Sequence, residues 1–271
     1  MPAVQGSTTT GAAGDATVAR LRAAGCVYAE QEAALLHAAA TGPAELAALV
    51  DRRVSGLPLE YVLGWAAFAD RRILVEPGVF VPRRRTELLA REAVRAGAAV
   101  PAGHPAVVVE LCCGTGAVAT VLVAALAGAR AYAVDIDPVA VRCARRNLAG
   151  TGARVYRGDL YRPLPARLRG QVDVLVANAP YVPSAEIGLL PPEAREHEPL
   201  AALDGGTDGL AVLRRVAAGA PDWLVPGGTV LMESSRRQAR ALAAAVTRAG
   251  LAARTVHDPD AGATVVTGTR A

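Results

Sequence analysis

Short apolar runs alternate with helical patterns of apolar and polar residues in the part of the chain that follows Pro105. The runs predict strands at 106–111, 131–134, 154–156, 172–177 and 229–233. The amphipathic patterns predict helices at 118–127, 138–148, 210–218 and 238–249. Two last runs, 252–257 and 264–267, lie close enough to pair as a hairpin. This order predicts an α/β domain with a doubly wound, mostly parallel sheet that ends in an antiparallel hairpin.

The chain before this domain follows a different pattern. Residues 1–15 are rich in Ser, Thr, Gly and Ala and predict a disordered lead-in. Residues 16–58 are rich in helix-forming side chains and predict a small helical module. Residues 59–84 contain short β-like runs around Asp70-Arg71 and predict a β-hairpin linker. The α/β domain is then expected to occupy residues 85–271.

With 271 residues the chain is long enough for one α/β domain and a smaller module. Its net charge of +4 is carried by arginine alone, since none of the 29 basic residues is lysine. Arginine pairs such as Arg52-Arg53, Arg71-Arg72 and Arg236-Arg237 are more typical of a solvated face than of a phosphate-binding surface. Charge and the scarcity of aromatic residues therefore give little support to nucleic-acid binding.

The four cysteines, Cys26, Cys112, Cys113 and Cys143, show no Cys-x-x-Cys spacing, and the histidines are not clustered. We therefore expect neither a metal site nor a disulfide framework, which indicates a reducing compartment. The N-terminus lacks the basic start and apolar core of a signal peptide. Charged residues also interrupt the alanine-rich stretches before they reach the length of ~20 residues that a membrane-spanning helix needs. A cytoplasmic protein without a membrane segment is expected.

Glycine and acidic residues follow three of the predicted strands at the point where each ends. The first strand leads through Glu110 into Cys112-Cys113-Gly114-Thr115-Gly116, a glycine-rich turn that lets a ligand approach the backbone. The next strand ends at Asp135, where a carboxylate can accept both hydroxyls of a ribose, and a third ends at Gly158-Asp159. Each carboxylate alone could be a helix cap or a turn residue. Because no phosphate-binding pattern is present, the set predicts a nucleoside ligand without phosphates.

Asn178-Ala179-Pro180-Tyr181 follows the predicted strand 172–177 directly, and ligands of open α/β sheets bind at such strand ends. A planar nitrogen, as in an amide or a nucleobase amine, is a poor nucleophile until two acceptors take its hydrogens and direct its lone pair. The Asn178 oxygen and a nearby backbone carbonyl can do that, while Pro180 restricts φ and Tyr181 offers a flat apolar face. An Asn before a proline turn also occurs at strand ends that have no function.

Several motifs together resemble one family. They are residues 109–116, 133–138, 158–159 and 178–181, Glu198-Pro199 with 202–206, and Asp208-Gly209-Leu210. From Arg53 onward the chain is similar to the class I methyltransferases that modify the side-chain amide of glutamine in proteins, typified by the enzyme of peptide-chain release factors. The linker runs 56–64, 81–83 and 86–87 are also similar to that family and are more specific than the cofactor motifs.

The resemblance implies a Rossmann-like, S-adenosylmethionine-dependent methyltransferase that modifies an exposed glutamine of a protein such as a release factor, without a metal. The resemblance assigns cofactor binding to residues at the strand ends, namely Glu110, Cys112, Gly114, Gly116, Asp135, Ile136, Asp159, Leu160 and Asn178. Catalysis is assigned to Asn178, Pro180 and Tyr181. The protein substrate would contact these three residues together with Ala179, Glu198 and Pro199, and the helical module would recognise it.

The chain departs from the family pattern at several positions. Ala179 stands where a first proline is usual, Cys112 where a glycine is usual, and Arg84-Arg85 where a Pro-Glu pair is usual. Ala263 falls where a C-terminal arginine is expected. These differences match a branch of the family whose substrate is unassigned. They therefore bear on the protein substrate more than on the reaction.

Two other functions stay open at the level of sequence. Asn-Pro-Pro-Tyr loops also occur in enzymes that methylate the exocyclic amine of adenine, so DNA or RNA is an alternative acceptor. The other alternative is a protein that holds the cofactor or a partner without catalysis, which Ala179 and Cys112 would support.

Overall fold

Helices make up the N-terminal part of the structure, a computed structural model that describes residues 9–101 and 103–271. These helices are α1 (Thr9–Ala23), α2 (Ala29–Ala39), α3 (Pro43–Val54) and α4 (Leu59–Leu63). Pro43 occupies the first turn of α3, where its missing N–H leaves no helical hydrogen bond unmade. Leu21, Leu36 and Val50 are buried together between these helices. The helical N-terminal part that the sequence predicts is therefore present.

Two details differ from the expected boundaries. The first eight residues of the predicted lead-in, 1–15, lie outside the described residues, and from Thr9 onward the lead-in belongs to α1 instead. No proline interrupts this stretch, and Leu21 anchors the end of α1 in the small core. The second difference is α4, which occupies the start of the linker where β-like runs were expected. Tyr61 of α4 is buried and donates its hydroxyl hydrogen to the Val79 carbonyl oxygen at 2.7 Å, so tertiary packing sets the local conformation.

The linker then forms an antiparallel hairpin of β1 (Trp65–Phe68) and β2 (Arg71–Leu74). Ala69 and Asp70 connect the two strands with positive φ angles of 47° and 58°. Both residues lie in the left-handed conformation that a two-residue turn needs to match the twist of the strands. The hairpin lies where the sequence predicts β-like runs around Asp70-Arg71.

Seven strands in the described part of the chain form one sheet with the order β5-β4-β3-β6-β7-β9-β8. Their bounds are β3 (Val107–Leu111), β4 (Arg130–Asp135), β5 (Arg154–Arg157), β6 (Val172–Ala177), β7 (Leu224–Glu233), β8 (Leu251–Asp258) and β9 (Ala263–Arg270). Strands β3 to β7 are parallel, whereas β9 is antiparallel to both β7 and β8. The predicted mostly parallel sheet with a terminal antiparallel hairpin is confirmed.

Helices cover both faces of this sheet. They are α5 (Glu87–Ala98), α6 (Ala117–Ala125), α7 (Pro138–Asn147), α9 (Ala211–Gly219) and α10 (Ala239–Arg248), while the short helix α8 (Pro192–His197) lies in the chain between β6 and β7. Val108 and Val174 pack with α5 and α6, whereas their neighbours Val109 and Leu175 pack with α9 and α10. Strands β3 and β6 are therefore buried on both faces, which is why they show continuous apolar runs in the sequence.

A crevice opens at the carboxyl ends of the central strands. The chain leaves β3 toward β4 on one side and later returns to β6 on the other side of β3. Such a change of direction leaves the ligand-binding crevice of doubly wound sheets. Residues 182–204, here called the 182–204 loop, follow β6, contain α8 and return so that Asp204 pairs with Val182. None of the helices in the described part of the chain combines the length and the apolar surface needed to cross a bilayer.

Candidate active site

A cavity of about 500 Å³ occupies this crevice. One half of the cavity is formed by the ends of β3, β4 and β5, and we call it the β3–β5 half. The other half, formed by residues that follow β6, is called the β6 half. The cavity lining includes nearly all of the predicted site residues, namely Glu110, Cys112, Gly114, Asp135, Ile136, Asp159, Leu160, Asn178, Ala179, Pro180, Tyr181, Glu198 and Pro199. The structure thus brings together residues that the sequence assigned to one site.

Gly116 is the exception, because it does not line the cavity. It is the N-cap of α6 and has a positive φ of 73°. A Cβ at this position would lie 3.2 Å from the Cβ of Ala144 on α7. The cofactor contact of Gly116 stays a prediction, and the position also has a structural requirement, because only glycine combines the left-handed backbone with this close helix packing.

Glu110 belongs to the buried strand β3, and its carboxyl group lies in the β3–β5 half. Its Oε2 accepts the Ala119 N–H at 2.8 Å, in the first turn of α6. Burial, with a smaller contribution from the nearby Asp135, raises the pKa of Glu110 to about 8. No arginine of the described residues forms an ion pair with it. Because an ionised carboxylate inside a protein needs a partner, this end of the cavity is complementary to a cationic ligand group.

Asp135 holds the glycine-rich turn at the end of β4. One carboxylate oxygen accepts the Gly114 N–H at 2.8 Å, and the other accepts the Asp137 N–H at 2.9 Å. Burial raises the pKa of Asp135, while these two backbone donors oppose the shift. Each carboxylate oxygen has a second lone pair, so Asp135 can also accept the hydroxyl hydrogens of a ligand.

Cys112 stands beside this turn in the left-handed conformation, with a φ of 54°. A glycine would adopt this backbone without strain, so cysteine at this position has a conformational cost. Burial raises the pKa of the Cys112 and Cys113 thiols well above the ordinary range, and both cysteines are free. Both thiols therefore stay protonated, as expected for packing residues rather than a reactive pair.

The ends of β4 and β5 provide both apolar and charged surface. Ile136 is 61% exposed in the cavity wall, and Leu160 is buried with a positive φ of 47°. Asp159 pairs with Arg215 of α9 at 2.6 Å. A flat heteroaromatic ring can lie against these two apolar side chains. The carboxylate of Asp159 is shared with an arginine that the sequence gave no reason to include.

Asn178 lies directly after β6 and faces a partner from the linker. Its Nδ2 donates a hydrogen bond to Oγ1 of Thr86 at 3.2 Å, and Thr86 is buried. Among the described residues no donor is bonded to the Asn178 side-chain oxygen. The amide of Asn178 is thereby oriented, and its oxygen is available to a ligand.

The backbone that follows Asn178 is packed against the return of the 182–204 loop. A Cβ at Gly205 would lie 2.7 Å from the Pro180 carbonyl oxygen, so only glycine fits there. Gln238 donates through Nε2 to the Tyr181 carbonyl oxygen at 2.8 Å. The carbonyls of Ala179 and Pro180 accept no backbone hydrogen bond within the described chain. One of these two carbonyls can therefore act with the Asn178 oxygen on a ligand.

Tyr181 is held by two charged residues. Its hydroxyl donates to Oε1 of Glu233 at 2.9 Å, and Nε of Arg85 donates to the same oxygen at 3.3 Å. The Arg85 guanidinium lies 5.6 Å from the centre of the Tyr181 ring. Burial and the Glu233 carboxylate raise the pKa of Tyr181 well above its ordinary value. Tyr181 therefore stays protonated and presents a fixed ring.

Glu198 is buried, although its place in a loop would also suit an exposed carboxylate. Its side chain is 1% exposed and forms an ion pair with Arg83, whose guanidinium lies over Phe80 at 5.0 Å. Burial raises the pKa of Glu198. The carboxylate thus fixes Arg83 in the cavity wall. Pro199 continues this wall at the β6 half.

Sequence reasoning missed the partners that orient these groups. Thr86 is separated from Asn178 by 92 residues, and Glu233 is separated from Tyr181 by 52 residues. Glu233 ends β7, so the rule that sites lie at strand ends could have found it. Thr86 and Arg85 lie in or beside the quoted linker runs, which indicated a family without showing which side chain reaches the cavity.

The two halves of the cavity offer different chemistry. The β3–β5 half provides a buried carboxylate for a cation, an aspartate for hydroxyls and apolar side chains for a ring. The β6 half provides an oriented amide oxygen and free carbonyls for the two hydrogens of a planar nitrogen. The described residues contain no cluster of His, Cys, Asp and Glu suited to a metal ion.

Known proteins share this architecture. A family model described as a methyltransferase domain matches residues 108–195. The solved structure of a methyltransferase from Pyrococcus furiosus is similar with a TM-score of 0.53 and 16% identity, covering 73% of this chain and 88% of that chain. At this identity the structural similarity shows the fold alone. The class I methyltransferase fold that the sequence predicts is confirmed.

Sequence relatives are more specific. A release factor glutamine methyltransferase from Geobacter sulfurreducens is 39% identical over 224 residues, 80% of this chain and 76% of that protein. One from Mycolicibacterium smegmatis is 40% identical over 236 residues, 81% of this chain and 82% of that protein. A 4-amino-L-phenylalanine/4-methylamino-L-phenylalanine methyltransferase from Streptomyces pristinaespiralis is 41% identical over 193 residues, 70% of this chain and 65% of that protein.

The first two relatives carry the same name and align with more than three quarters of their own length. Their similarity extends well beyond the residues that match the methyltransferase domain model. The resemblance that the motifs indicated is confirmed, and S-adenosylmethionine is the methyl donor that such a methyltransferase fold implies. The chain belongs to the release factor glutamine methyltransferase family.

Proposed function

We propose that the protein transfers a methyl group from S-adenosylmethionine to the side-chain amide nitrogen of a glutamine in a protein substrate, with a peptide-chain release factor as the expected partner. The single observation that carries this proposal is the oriented Asn178 amide beside two free backbone carbonyls. Family membership supports the same reaction. Cytoplasmic action follows from this substrate, because release factors act on ribosomes.

The β3–β5 half has the donors and acceptors that the methyl donor requires. When bound, S-adenosylmethionine supplies a methyl group made electrophilic by a sulfonium. Glu110 would accept the amino group of its amino-acid end, and the buried, unpaired carboxylate supports this assignment. Asp135 would accept the ribose hydroxyls. The adenine would lie against Ile136 and Leu160, with Asp159 at its edge, while Cys112 and Gly114 form the turn beneath it.

Asn178 is the residue that we propose to activate the acceptor. Its oxygen would accept one amide hydrogen of the substrate glutamine, and the carbonyl of Ala179 or Pro180 would accept the other. With both hydrogens held, the nitrogen lone pair is directed away from the amide plane. Thr86 is a positioning residue that acts through Asn178, because it accepts the hydrogen bond of the Asn178 Nδ2 group. Were the Asn178 amide turned over, its own N–H groups would face the N–H groups of the substrate amide.

Tyr181 and Pro180 shape the place where the glutamine amide lies. The Tyr181 ring offers a flat apolar surface, and Glu233 fixes its hydroxyl. Pro180 restricts the backbone so that the adjacent carbonyl keeps one direction. Glu198 holds Arg83 in the wall that leads to this place, and Pro199 lies beside it.

No strong base is required by this arrangement. The product nitrogen sheds its proton readily once it is methylated, so the residues need only hold and direct the amide. Holding both reactants in line can supply about 7–11 kcal/mol of barrier reduction. The absence of a general base among the proposed catalytic residues, Asn178, Pro180 and Tyr181, is consistent with catalysis by positioning.

A second acceptor class is favoured by one relative. The protein from Streptomyces pristinaespiralis named as a methyltransferase of 4-amino-L-phenylalanine shares 41% identity with 70% of this chain. An arylamine also has a planar nitrogen with two hydrogens, so the same acceptors could serve it. Methylation of nucleic acid and a purely non-catalytic role are not favoured by the comparisons.

Intact-mass analysis tests the proposed function directly. The enzyme is incubated with S-adenosylmethionine and either a release factor, 4-aminophenylalanine or an adenine-containing oligonucleotide. We expect a gain of one methyl group on the release factor, located by fragmentation on a glutamine side chain. Methylation of 4-aminophenylalanine alone would replace the proposal by the second acceptor class. Methylation of the oligonucleotide alone would contradict both.

A further inference from the structure

Arg85 is a cation in the wall of the β6 half, and the reaction proposed above does not use it. It lies one residue before Thr86 and extends over the Tyr181 ring, at 5.6 Å from the ring centre. Its neighbour Arg84 lines a different groove, beside the β1–β2 hairpin. Two adjacent arginines therefore serve different surfaces, and only Arg85 belongs to the acceptor wall.

The Arg85 guanidinium is bonded to Glu233 through Nε and also acts on the Tyr181 hydroxyl, while its side chain remains partly exposed. Nε donates to Glu233, whose side chain is 2% exposed, whereas the Arg85 side chain is 45% exposed. A guanidinium carries five N–H donors in a rigid plane, so donors remain for a ligand after the bond to Glu233 is made. Glu233 also holds the Tyr181 hydroxyl. One buried carboxylate thus sets the positions of both the ring and the cation.

The distance to Tyr181 limits what Arg85 can reach. If the acceptor amide lies on the Tyr181 ring, a group bound by Arg85 belongs to the acceptor residue itself or to its immediate neighbours, because consecutive Cα atoms are about 3.8 Å apart. A planar guanidinium edge matches the two oxygens of a carboxylate better than any other common group. The preferred ligand is therefore a carboxylate close to the acceptor nitrogen.

We propose that Arg85 forms a subsite for a substrate carboxylate next to the methylated nitrogen, supplied by an acidic residue that flanks the glutamine. This inference rests on the proposed function. It makes Arg85 a specificity-determining residue rather than a catalytic one. A free amino acid could supply the same chemistry through its α-carboxylate, so the test includes both sources.

Three peptides test the subsite: one with Asp, one with Asn and one with Lys beside the same glutamine. For the wild type we expect kcat/KM to fall roughly tenfold from the Asp to the Asn peptide, the fold-change of one charge-assisted hydrogen bond, and to fall further with Lys. Arg85→Gln should lose the preference, because its rate should fall further on the Asp peptide than on the Asn peptide. Arg84→Gln is the matched control and should keep the wild-type preference.

Other outcomes have defined meanings. Arg85→Lys should retain part of the preference, since it keeps the charge without the planar edge. Equal losses on all three peptides in Arg85→Gln would show that Arg85 only supports Tyr181, and would overturn the inference. A wild type without any charge preference would overturn it as well.

The second source and the proposed function are tested separately. Faster methylation of free 4-aminophenylalanine than of its carboxamide in the wild type, but not in Arg85→Gln, supports the same subsite with an α-carboxylate. No transfer to the release factor or to any glutamine peptide by the wild type would contradict the proposed function, whatever the result for this amino acid.

Discussion

Asp135 carries the sharpest prediction about the methyl donor. Its carboxylate accepts the N–H groups of Gly114 and Asp137 at 2.8 Å and 2.9 Å, and its other lone pairs are expected to accept the ribose hydroxyls. A hydrogen bond to a charged group contributes about 1.5–3 kcal/mol. Losing the ribose contact in Asp135→Ala should therefore weaken binding of S-adenosylmethionine by about 10- to 160-fold.

The structure adds to this loss, because Asp135→Ala also releases the glycine-rich turn at Gly114. Asp135→Asn keeps one acceptor oxygen, so its affinity should lie between those of the wild type and the alanine variant. Calorimetric titration with S-adenosylmethionine measures all three. Asp137→Ala is the matched control: its side chain caps α7 by accepting the Val139 N–H at 2.6 Å, and its loss should cost about 1 kcal/mol of stability. Unchanged affinity in Asp135→Ala, or equal losses in both alanine variants, would refute the assignment.

Three further predictions concern burial, packing and the contact between the two parts of the chain. Burial raises the folded-state pKa of Glu110 to about 8, above its unfolded value. The free energy of unfolding should therefore fall as the pH rises from about 5 to about 8, and it should fall less in Glu110→Gln. Denaturant unfolding at several pH values measures both. Cys113→Ser should keep turnover within a few-fold and lower the free energy of unfolding by about 1–3 kcal/mol, because the buried hydroxyl lacks a partner. Complete loss of turnover in a folded variant would indicate a chemical role for the thiol. Glu193 of α8 pairs with the buried Arg53 of α3 at 2.7 Å. Glu193→Ala should therefore reduce kcat/KM for an intact protein substrate and leave kcat/KM for a short glutamine peptide unchanged. Equal losses of kcat/KM on both substrates would contradict this.

The central sheet was predictable because its chemistry is local. Strand β6 matches the predicted bounds 172–177, since a strand buried on both faces is apolar at nearly every position, here all but the half-buried Asp173. The position of Asn178 follows directly from that strand end. Gly116 shows the limit of such reasoning, because a glycine in a ligand-binding turn and a glycine required by helix packing look alike in a sequence.

The remaining parts depend on contacts between distant segments. The helix α4 forms where Tyr61 is buried against Val79. The helix α8 begins at Pro192, directly after Pro191, within the 182–204 loop. Both helices are too short to show the periodicity of a longer helix. The partners Thr86 and Glu233 reach the cavity from the linker and from β7. Their roles require the register of packed elements, which a single sequence does not contain. The boundaries of the helical module and its role in recognition stay predictions.

The account depends most on Asn178, and a single-turnover measurement tests it most directly. Asn178→Ala is mixed with a saturating amount of S-adenosylmethionine and a glutamine-containing protein substrate, and the rate of methyl transfer is compared with that of the wild type. Losing one oriented acceptor should slow transfer by about a hundredfold or more, judged from the loss of a single positioned hydrogen-bond partner, while the dissociation constant of S-adenosylmethionine stays nearly constant. A transfer rate equal to that of the wild type in this folded variant would contradict the account.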